Sequence, residues 1–411
     1  MSAPGAKAYI AVTAAYWAFM LTDGALRMLV LLHFHTLGFS PVELAYLFLL
    51  YEVMGIVTNL SAGWLAARFG LASTLYAGLT LQIIALLALS ALDPGWQITN
   101  SVVFVMLVQG LSGVAKDLSK MSSKSAVKIL VPEEGQLFRW VALLTGSKNA
   151  VKGVGFFIGA ALLGTIGFTP AVFVMAALLS VILIAIVAFM PAGLPGGIKG
   201  TKASAILPKD PNILNLSLAR VFLFGARDAW FVVGIPVFFY AVLSDGTPES
   251  ARRAFFAIGT FMAAWILFYG LIQANASKLL AGSTTSLPDT VKANLRWIGF
   301  LTLIPAFLAA VLLLQPQPQS TGTIAIVVIG LLVFGAIFAL NSALHSYLIL
   351  AFAKSERVTM DVGFYYMANA SGRLLGTFLS GASYQMGGVA ACLIASTILC
   401  ALSWFSARRL T

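Results

Sequence analysis

Long apolar stretches separated by short polar loops run through the whole chain. Read with a window of about 19 residues, hydropathy predicts twelve of them. Each can cross a bilayer, whose hydrocarbon core takes about 20 residues of helix. Helices are predicted rather than strands because a helix satisfies its own backbone hydrogen bonds in lipid. The predicted spans are residues 9–37, 41–66, 71–92, 99–121, 136–164, 168–191, 213–243, 252–280, 293–315, 322–352, 359–385 and 387–407.

Composition agrees with a membrane protein. Of the 411 residues, 60% are hydrophobic and 9% are charged, and the mean hydropathy is +0.95. In soluble domains about a quarter of the residues are charged. The net charge of +11 could suit nucleic acid, but the sequence offers no soluble basic domain to hold a duplex. Membrane lipid is therefore a predicted partner, and nucleic acid is not.

The first span argues against a cleaved signal peptide, and the positions of the cysteines argue against a disulfide. The first span is long and carries Asp23 and Arg27, so a cleaved signal peptide is not predicted. Cys392 and Cys400 fall in the last span, eight residues apart, where one rigid helix keeps them from forming a disulfide. No metal site and no cofactor are predicted.

Basic residues mark one side of the predicted membrane. They lie at both chain ends, as Lys7 does, and on the even-numbered loops. The opposite loops carry only Arg252 and Arg253, offset by Asp245 and Glu249. Because Lys and Arg are retained on the cytoplasmic side, both termini are predicted to be cytoplasmic. The predicted location is the bacterial inner membrane.

A connector that contains Gly, Pro and Lys separates six spans from six. Residues 192–212 are predicted to be a cytoplasmic linker. Residues 1–191 before it are predicted to form an N-terminal six-helix bundle, and residues 213–411 after it a C-terminal six-helix bundle.

The two halves share an imperfect repeat. Spans 5 and 11 both contain a cation, then Gly three residues later, then Phe two residues after that. Span 1 with TDGALR and span 7 with GARDAW match more loosely, because the order of charges differs. Internal repeats of this kind are common in transporters. The matched positions are Lys152 with Arg373, Gly155 with Gly376, and Phe157 with Phe378.

Twelve spans in two similar halves, with cytoplasmic ends and a central loop, resemble the major facilitator superfamily of transporters. The loop GWLAARFGLAS (residues 63–73) is similar to that family's signature between spans 2 and 3. Arg68 and Gly70 match it, whereas Ala67 stands where an Asp is expected. The resemblance implies an all-α polytopic membrane protein with the fold of that superfamily.

Charged residues lie deep within the predicted spans. At about 1.5 Å per residue, most of these charged residues fall roughly 18–28 Å from the cytoplasmic start of their helices. Each such charge costs about 2.5–3.5 kcal/mol, so five cations imply a gross cost on the order of 12–18 kcal/mol. A polar cavity between the halves is therefore expected. The cations are Arg27, Lys148, Lys152, Arg227 and Arg373, and the carboxylates are Asp23, Glu52 and Asp228.

Two interpretations of these charges remain open. The charges could pair with one another and hold helices together, and Asp23 with Arg27 has the i, i+4 spacing for a pair. The set as a whole favours an anionic ligand, because five cations face three carboxylates. Arginine suits phosphate-like oxyanions because its planar fork donates two hydrogen bonds.

Further cations extend toward the cytoplasmic side. Lys116, Lys120, Lys124 and Lys128 repeat every four residues in KDLSKMSSKSAVK, and Arg220 precedes the deep charges of span 7. We interpret Lys116, Lys120 and Arg220 as an inward-facing funnel for anions. Lys124 and Lys128 are interpreted as interfacial residues.

Four groups are candidates for proton coupling, namely Asp23, Glu52, Asp228 and His345. His345 titrates near neutral pH when unperturbed, although a packing role is an equally good interpretation. No catalytic residue is predicted, because no HExxH pair, nucleophile elbow or Gly-rich phosphate loop is present. The protein is not predicted to be an enzyme.

Four stretches resemble the ArsJ family of organoarsenical efflux permeases. They are TDGALRMLVLLHFH (22–35), LSGVAKDLSKMSSKS (111–125), RWVALLTGSKNAVKGVGFF (139–157) and FGARDAWFVV (224–233). The resemblance implies export of 1-arseno-3-phosphoglycerate and resistance to arsenate. It also implies a functional partner, glyceraldehyde-3-phosphate dehydrogenase, which supplies that substrate.

This substrate carries an arsenate group at one end and a phosphate group at the other. Our hypothesis is that Arg27, Lys148 and Lys152 receive one oxyanion while Arg227 and Arg373 receive the other. Binding to both halves would drive alternating access. The alternative is an organophosphate or sugar-phosphate antiporter with the same cationic cavity.

Overall fold

All regular elements in the described part of the chain are helical. The computed structural model describes residues 3–93, 95–130, 134–189, 208, 210–283, 286–315, 320–353 and 358–411. Within these ranges, the side chains of 3–9, 60, 62–68, 124–130, 134–146, 283 and 358–360 are outside the description. The long helices are α1 (Ala3–Thr36), α2 (Pro41–Phe69), α3 (Leu71–Leu89), α4 (Ile98–Leu130), α5 (Glu134–Ile166), α6 (Phe168–Phe189), α7 (Pro211–Phe231), α8 (Gly234–Leu243), α9 (Pro248–Ala274), α11 (Leu287–Leu314), α12 (Thr321–Phe352) and α13 (Val358–Ala407), with a short α10 (Ala276–Leu279) and a 3₁₀ turn (Ala281–Ser283).

The prediction of an all-α membrane protein is confirmed. Within the described residues, eleven helical stretches are long and apolar enough to cross a membrane. The last of them, α13, contains two predicted spans, because its backbone leaves the helical conformation at Gly387 and Gly388. Gly388 has a φ of +62°, in the left-handed region that favours glycine. The predicted boundary at residue 386 therefore coincides with this turn.

Glycine and capping residues set the other boundaries. Gly70, with a φ of +88°, separates α2 from α3, which explains why the matching position of the loop signature needs glycine. Thr247, Ser286 and Ser320 each accept a hydrogen bond from a backbone N–H in the first turn of α9, α11 and α12, and Asp210 does so for α7. Such caps satisfy N–H groups that a helix start leaves open.

The predicted seventh span, residues 213–243, matches the apolar stretch Pro211–Leu243, but its helix is interrupted by a short turn. The helix stops after Phe231 and resumes at Gly234. The N–H groups of Val233 and Gly234 donate to Oγ of Ser380 in α13, at 3.0 and 3.1 Å. An exposed turn of backbone is unfavourable in hydrocarbon, so this buried hydroxyl makes the break possible.

Replacing Ser380 by alanine is expected to destabilise the protein by about 1–3 kcal/mol, because two buried N–H groups lose their acceptor. Unfolding in detergent, followed by tryptophan fluorescence, measures the change. Thr397→Ala is the matched control, since among the described residues that hydroxyl donates only to Leu393 O of the same helix. Equal losses of stability in both variants would contradict the proposed role of Ser380.

The described helices group into two compact units. In the first unit, α3 packs on α4 and α6; in the second, α7 packs along α13, and α11 packs on α12 and α13. The first unit comprises Met1–His33, Val53–Ser204 and Phe255–Ile266, and the second comprises Phe34–Glu52, Ala205–Ala254 and Leu267–Thr411.

The two units do not coincide with the two halves of the sequence. Residues 34–52 belong to the second unit, and residues 255–266 belong to the first. The predicted bundles 1–191 and 213–411 stay a prediction, and most of the predicted linker 192–212 lies outside the described residues.

Candidate anion-binding site

In the first unit, α1 and α5 pack backbone against backbone. A Cβ atom at Gly24 would lie 2.5 Å from the backbone oxygen of Lys152, and one at Gly159 would lie 2.7 Å from Cα of Ala25. A Cβ at Gly155 would lie 3.2 Å from N of Ala25. Small residues permit such close helix contacts in membranes. The glycines thereby bring Lys152 against α1.

Lys152 forms an ion pair with Asp23 of α1. Its Nζ lies 2.5 Å from Oδ2 of Asp23, and Asp23 is 4% exposed. Spacing along α1 had indicated Arg27 as the partner of Asp23 and gave no sign of Lys152. The reason is that i, i+4 spacing describes pairs within one helix, whereas this pair depends on how α1 packs against α5.

Arg27 and Lys148 lie one turn to either side of this pair. Arg27 follows Asp23 on α1, and Lys148 precedes Lys152 on α5; both are partly buried. Residues four apart share one helix face, so the packed helices place three cations and one carboxylate within a few turns. This group carries a net charge of +2.

Arg373, the repeat partner of Lys152, pairs with a different helix. Its Nη2 donates to Oε2 of Glu52 in α2, and Glu52 is fully buried. The same two helices meet again where the N–H of Val42 donates to Oε1 of Gln385 at 3.3 Å. The repeat therefore preserves the cation but not the source of its carboxylate.

Arg227 pairs with its sequence neighbour Asp228. The Nε atom of Arg227 lies 2.6 Å from Oδ1 of Asp228, which is 2% exposed. The α13 backbone approaches here, since a Cβ at Gly376 would lie 2.6 Å from Cβ of Asp228. Each of the three predicted deep carboxylates thus has an ion-pair partner among the predicted cations. The cations still exceed these carboxylates by two.

Asp117 is a buried carboxylate that the sequence analysis missed. It is 0% exposed and accepts from the hydroxyl of Thr58 at 2.7 Å and from Nζ of Lys120 at 3.1 Å. Nζ of Lys116 lies 4.0 Å away, and Lys120 also donates to Asn59 Oδ1 at 2.7 Å. The signal was present in KDLSK, where an acid lies between two of the repeating lysines.

Arg220 occupies a different environment from the other arginines. It is 5% exposed; Nε donates to Asn369 Oδ1 at 3.0 Å, and Nη1 donates to the carbonyl oxygen and hydroxyl of Ser342 at 3.3 and 3.2 Å. Its guanidinium lies over the rings of Phe224 and Tyr365, 4.0 and 4.9 Å from their centres. In the described part of the chain it contacts no carboxylate.

The remaining candidates are placed as follows. His345 is fully buried on α12, and neither of its ring nitrogens has a hydrogen-bond partner among the described residues. Its role as a proton carrier stays a prediction. The side chains of Lys124, Lys128 and Arg68 lie outside the described residues.

Three solved structures that are similar to this chain are structures of transporters. A variant of the nucleoside transporter NupG has a TM-score of 0.74 at 14% identity, covering 98% of both chains. A bacterial homologue of the iron transporter ferroportin in the inward-facing state gives 0.72 at 14% identity over 100% of both chains. A POT family transporter in complex with 5-aminolevulinic acid gives 0.74 at 14% identity, covering 96% of this chain and 94% of that one. At this identity the likeness shows the fold alone.

The sequence itself carries a family match. No curated protein matches it. The family described as Major Facilitator Superfamily matches residues 9–377, from α1 into α13. The apolar helices and the fold of the similar structures agree with this match. The chain therefore belongs to the Major Facilitator Superfamily and is a multi-pass integral membrane protein with a transporter fold.

Proposed function

We propose that this protein exports 1-arseno-3-phosphoglycerate and thereby gives resistance to arsenate. The charge balance of its membrane-spanning helices carries the proposal. The eight predicted binding cations lie in these helices together with five buried carboxylates, Asp23, Glu52, Asp117, Asp228 and Asp361. Three positive charges remain in excess. The resemblance of four stretches to the ArsJ family selects this substrate among small anions.

An excess of buried cations is unfavourable without a ligand. Each charge at the centre of a bilayer costs about 2.5–3.5 kcal/mol on insertion scales. A substrate with an acyl arsenate group and a phosphate group brings several negative charges on a small skeleton. Its binding would offset the excess of positive charge over the five buried carboxylates.

Two groups of cations are proposed to hold the two ends of this substrate. Arg27, Lys148 and Lys152 of the first half receive one oxyanion, and Arg227 and Arg373 of the second half receive the other. Because Lys152, Arg227 and Arg373 already hold carboxylates, the oxyanion must compete with an internal acid. A carboxylate released in this exchange becomes a site for a coupling proton.

The proposal includes a direction and a partner. The chain lies in a bacterial inner membrane with both termini cytoplasmic, and it has no enzymatic activity of its own. Glyceraldehyde-3-phosphate dehydrogenase makes the substrate in the cytoplasm by using arsenate in place of phosphate. Lys116 and Lys120 attract the anion from the cytoplasm toward the binding site. The acyl arsenate breaks down after export.

Arsenate resistance tests the proposal. Cells that lack arsenate efflux are given this chain, the dehydrogenase, both or neither, and growth is measured against arsenate concentration. Resistance is expected to be highest with both, because the added dehydrogenase supplies more substrate than the cells' own enzyme does. Equal resistance from the dehydrogenase alone, or none from both while the chain is present in the membrane, would contradict the proposal.

Inside-out vesicles separate the proposed substrate from other organophosphates. Uptake should require dehydrogenase, glyceraldehyde-3-phosphate, NAD and arsenate together, and it should fall when arsenate is replaced by phosphate. Equal uptake of 3-phosphoglycerate without arsenate would favour an organophosphate antiporter instead. Uptake that is unchanged when the pH gradient is collapsed would exclude proton antiport.

A further inference from the structure

Arg220 is a buried cation whose partners are neutral. Its hydrogen bonds run to the amide oxygen of Asn369 and to the carbonyl and hydroxyl oxygens of Ser342. Among the described residues no carboxylate lies within ion-pair distance of it. A buried charge without a counter-charge is unfavourable. This environment therefore favours an added anion.

The other predicted cations of the second unit differ from Arg220 in this respect. Arg227 holds Asp228, and Arg373 holds Glu52. An oxyanion that binds either arginine has to displace a carboxylate that already carries a full negative charge. At Arg220 the oxyanion would meet a guanidinium whose charge is uncompensated, so no exchange is needed.

A second guanidinium raises the positive potential at this place. The guanidinium groups of Arg220 and Arg227 both lie near the ring of Phe224, at 4.0 and 4.9 Å from its centre. Like charges repel more strongly in a medium of low dielectric constant than in water, and Asp228 offsets part of the charge of Arg227. An anion bound to Arg220 would reduce that repulsion.

The guanidinium of Arg220 is also held in a fixed orientation. Phe224 and Tyr365 cover it, while Asn369 on α13 and Ser342 on α12 anchor Nε and Nη1. Nη2 has no hydrogen-bond partner among the described residues. Its two N–H groups therefore remain as donors to an added anion, and hydrogen bonds between charged groups are stronger than those between neutral groups.

We infer that Arg220 is a receptor for a tetrahedral oxyanion, the phosphate or arsenate group of the substrate. Asn369 and Ser342 are positioning residues that hold its guanidinium. The inference rests on the proposed function, because it takes the substrate to be an anion. It changes the role of Arg220 from one cation of a cytoplasmic funnel to a direct ligand of one end of the substrate.

A carboxylate placed beside Arg220 tests this role. Asn369→Asp puts a permanent counter-charge where Nε now meets an amide oxygen at 3.0 Å. Binding of labelled 3-phosphoglycerate to the purified full-length protein in nanodiscs is measured. The affinity should fall about 10–150-fold, the range of one hydrogen bond to a charged group, for both Asn369→Asp and Arg220→Met. Asn369→Ser, the neutral control, should stay within a few-fold of wild type.

Thermal unfolding of the same samples separates binding from structure. A purely structural Arg220 gains an ion pair in Asn369→Asp, so that variant would be at least as stable as wild type and bind equally well. That result, or normal binding by Arg220→Met, would overturn the inference, as would a wild-type protein that binds neither 3-phosphoglycerate nor inorganic phosphate. If binding depends on Arg220 but cells gain no arsenate resistance, the inference stands and the proposed function fails.

Discussion

A Lys152→Met variant is expected to lose both stability and transport. The substitution leaves the carboxylate of Asp23, which is 4% exposed, without its ion-pair partner at 2.5 Å. Breaking a buried pair by removing one partner costs about 3–5 kcal/mol. Transport falls as well, because Lys152 is one of the cations proposed to receive an oxyanion. Unfolding in detergent and uptake into inside-out vesicles measure the two effects.

The double variant Asp23→Asn, Lys152→Met separates these effects. Without a buried charge on either helix, most of the lost stability should return. Transport should not return, because the cation is still absent. Transport at the wild-type rate by the double variant would exclude Lys152 from substrate binding and leave it a structural role.

A pair on the protein surface provides the control. Arg253 lies 4.0 Å from Glu249, with the two side chains 72% and 83% exposed. Arg253→Met should change stability by less than about 1 kcal/mol, because exposed ion pairs contribute little. A loss as large as that of Lys152→Met would show that the assay does not distinguish buried from exposed pairs.

An Arg373→Met variant is expected to loosen the contact between α2 and α13. Glu52 is fully buried, so removing its guanidinium partner costs about 3–5 kcal/mol. The Val42→Cys, Gln385→Cys pair reports the contact, since the N–H of Val42 now donates to Gln385 Oε1 at 3.3 Å. Disulfide formation between the two new cysteines should slow when Arg373→Met is added.

Glu52→Gln combined with Arg373→Met provides the comparison for this experiment. A neutral glutamine removes the buried charge, so cross-linking and stability should recover toward wild type. Recovery of transport in the same protein would remove Arg373 from the proposed binding residues. Unchanged cross-linking in Arg373→Met alone would show that the ion pair does not hold α2 on α13.

These two predictions concern positions that the internal repeat relates. The sequence showed the relation because cation, glycine and phenylalanine recur at the same spacing in KGVGFF and RLLGTF. The structure agrees with it in packing, since Gly155 faces α1 and Gly376 faces α7. The ion pairs do not follow the repeat, because Lys152 pairs with a carboxylate of span 1 while Arg373 pairs with a carboxylate of span 2.

The candidate site could be predicted as a set of cations but not as a set of contacts. All eight cations were evident because a charge within an apolar stretch is conspicuous. Asp117 was missed because it lies within a run of lysines, and the neutral surroundings of Arg220 were hidden because Ser342 and Asn369 come from distant parts of the chain. The break after Phe231 was hidden for the same reason, since the acceptor that permits it is Ser380.

The sequence by itself determined that this chain is helical, spans a membrane many times and carries more cations than carboxylates in its spans. Span length and hydropathy are local properties, and the bilayer imposes them on each segment independently. Only the tertiary structure decided which cation pairs with which carboxylate. Ion pairs and hydrogen bonds between spans depend on close helix contacts, which glycines permit at positions such as Gly24 and Gly376. Those contacts join residues that are remote in sequence, so no local pattern contains them.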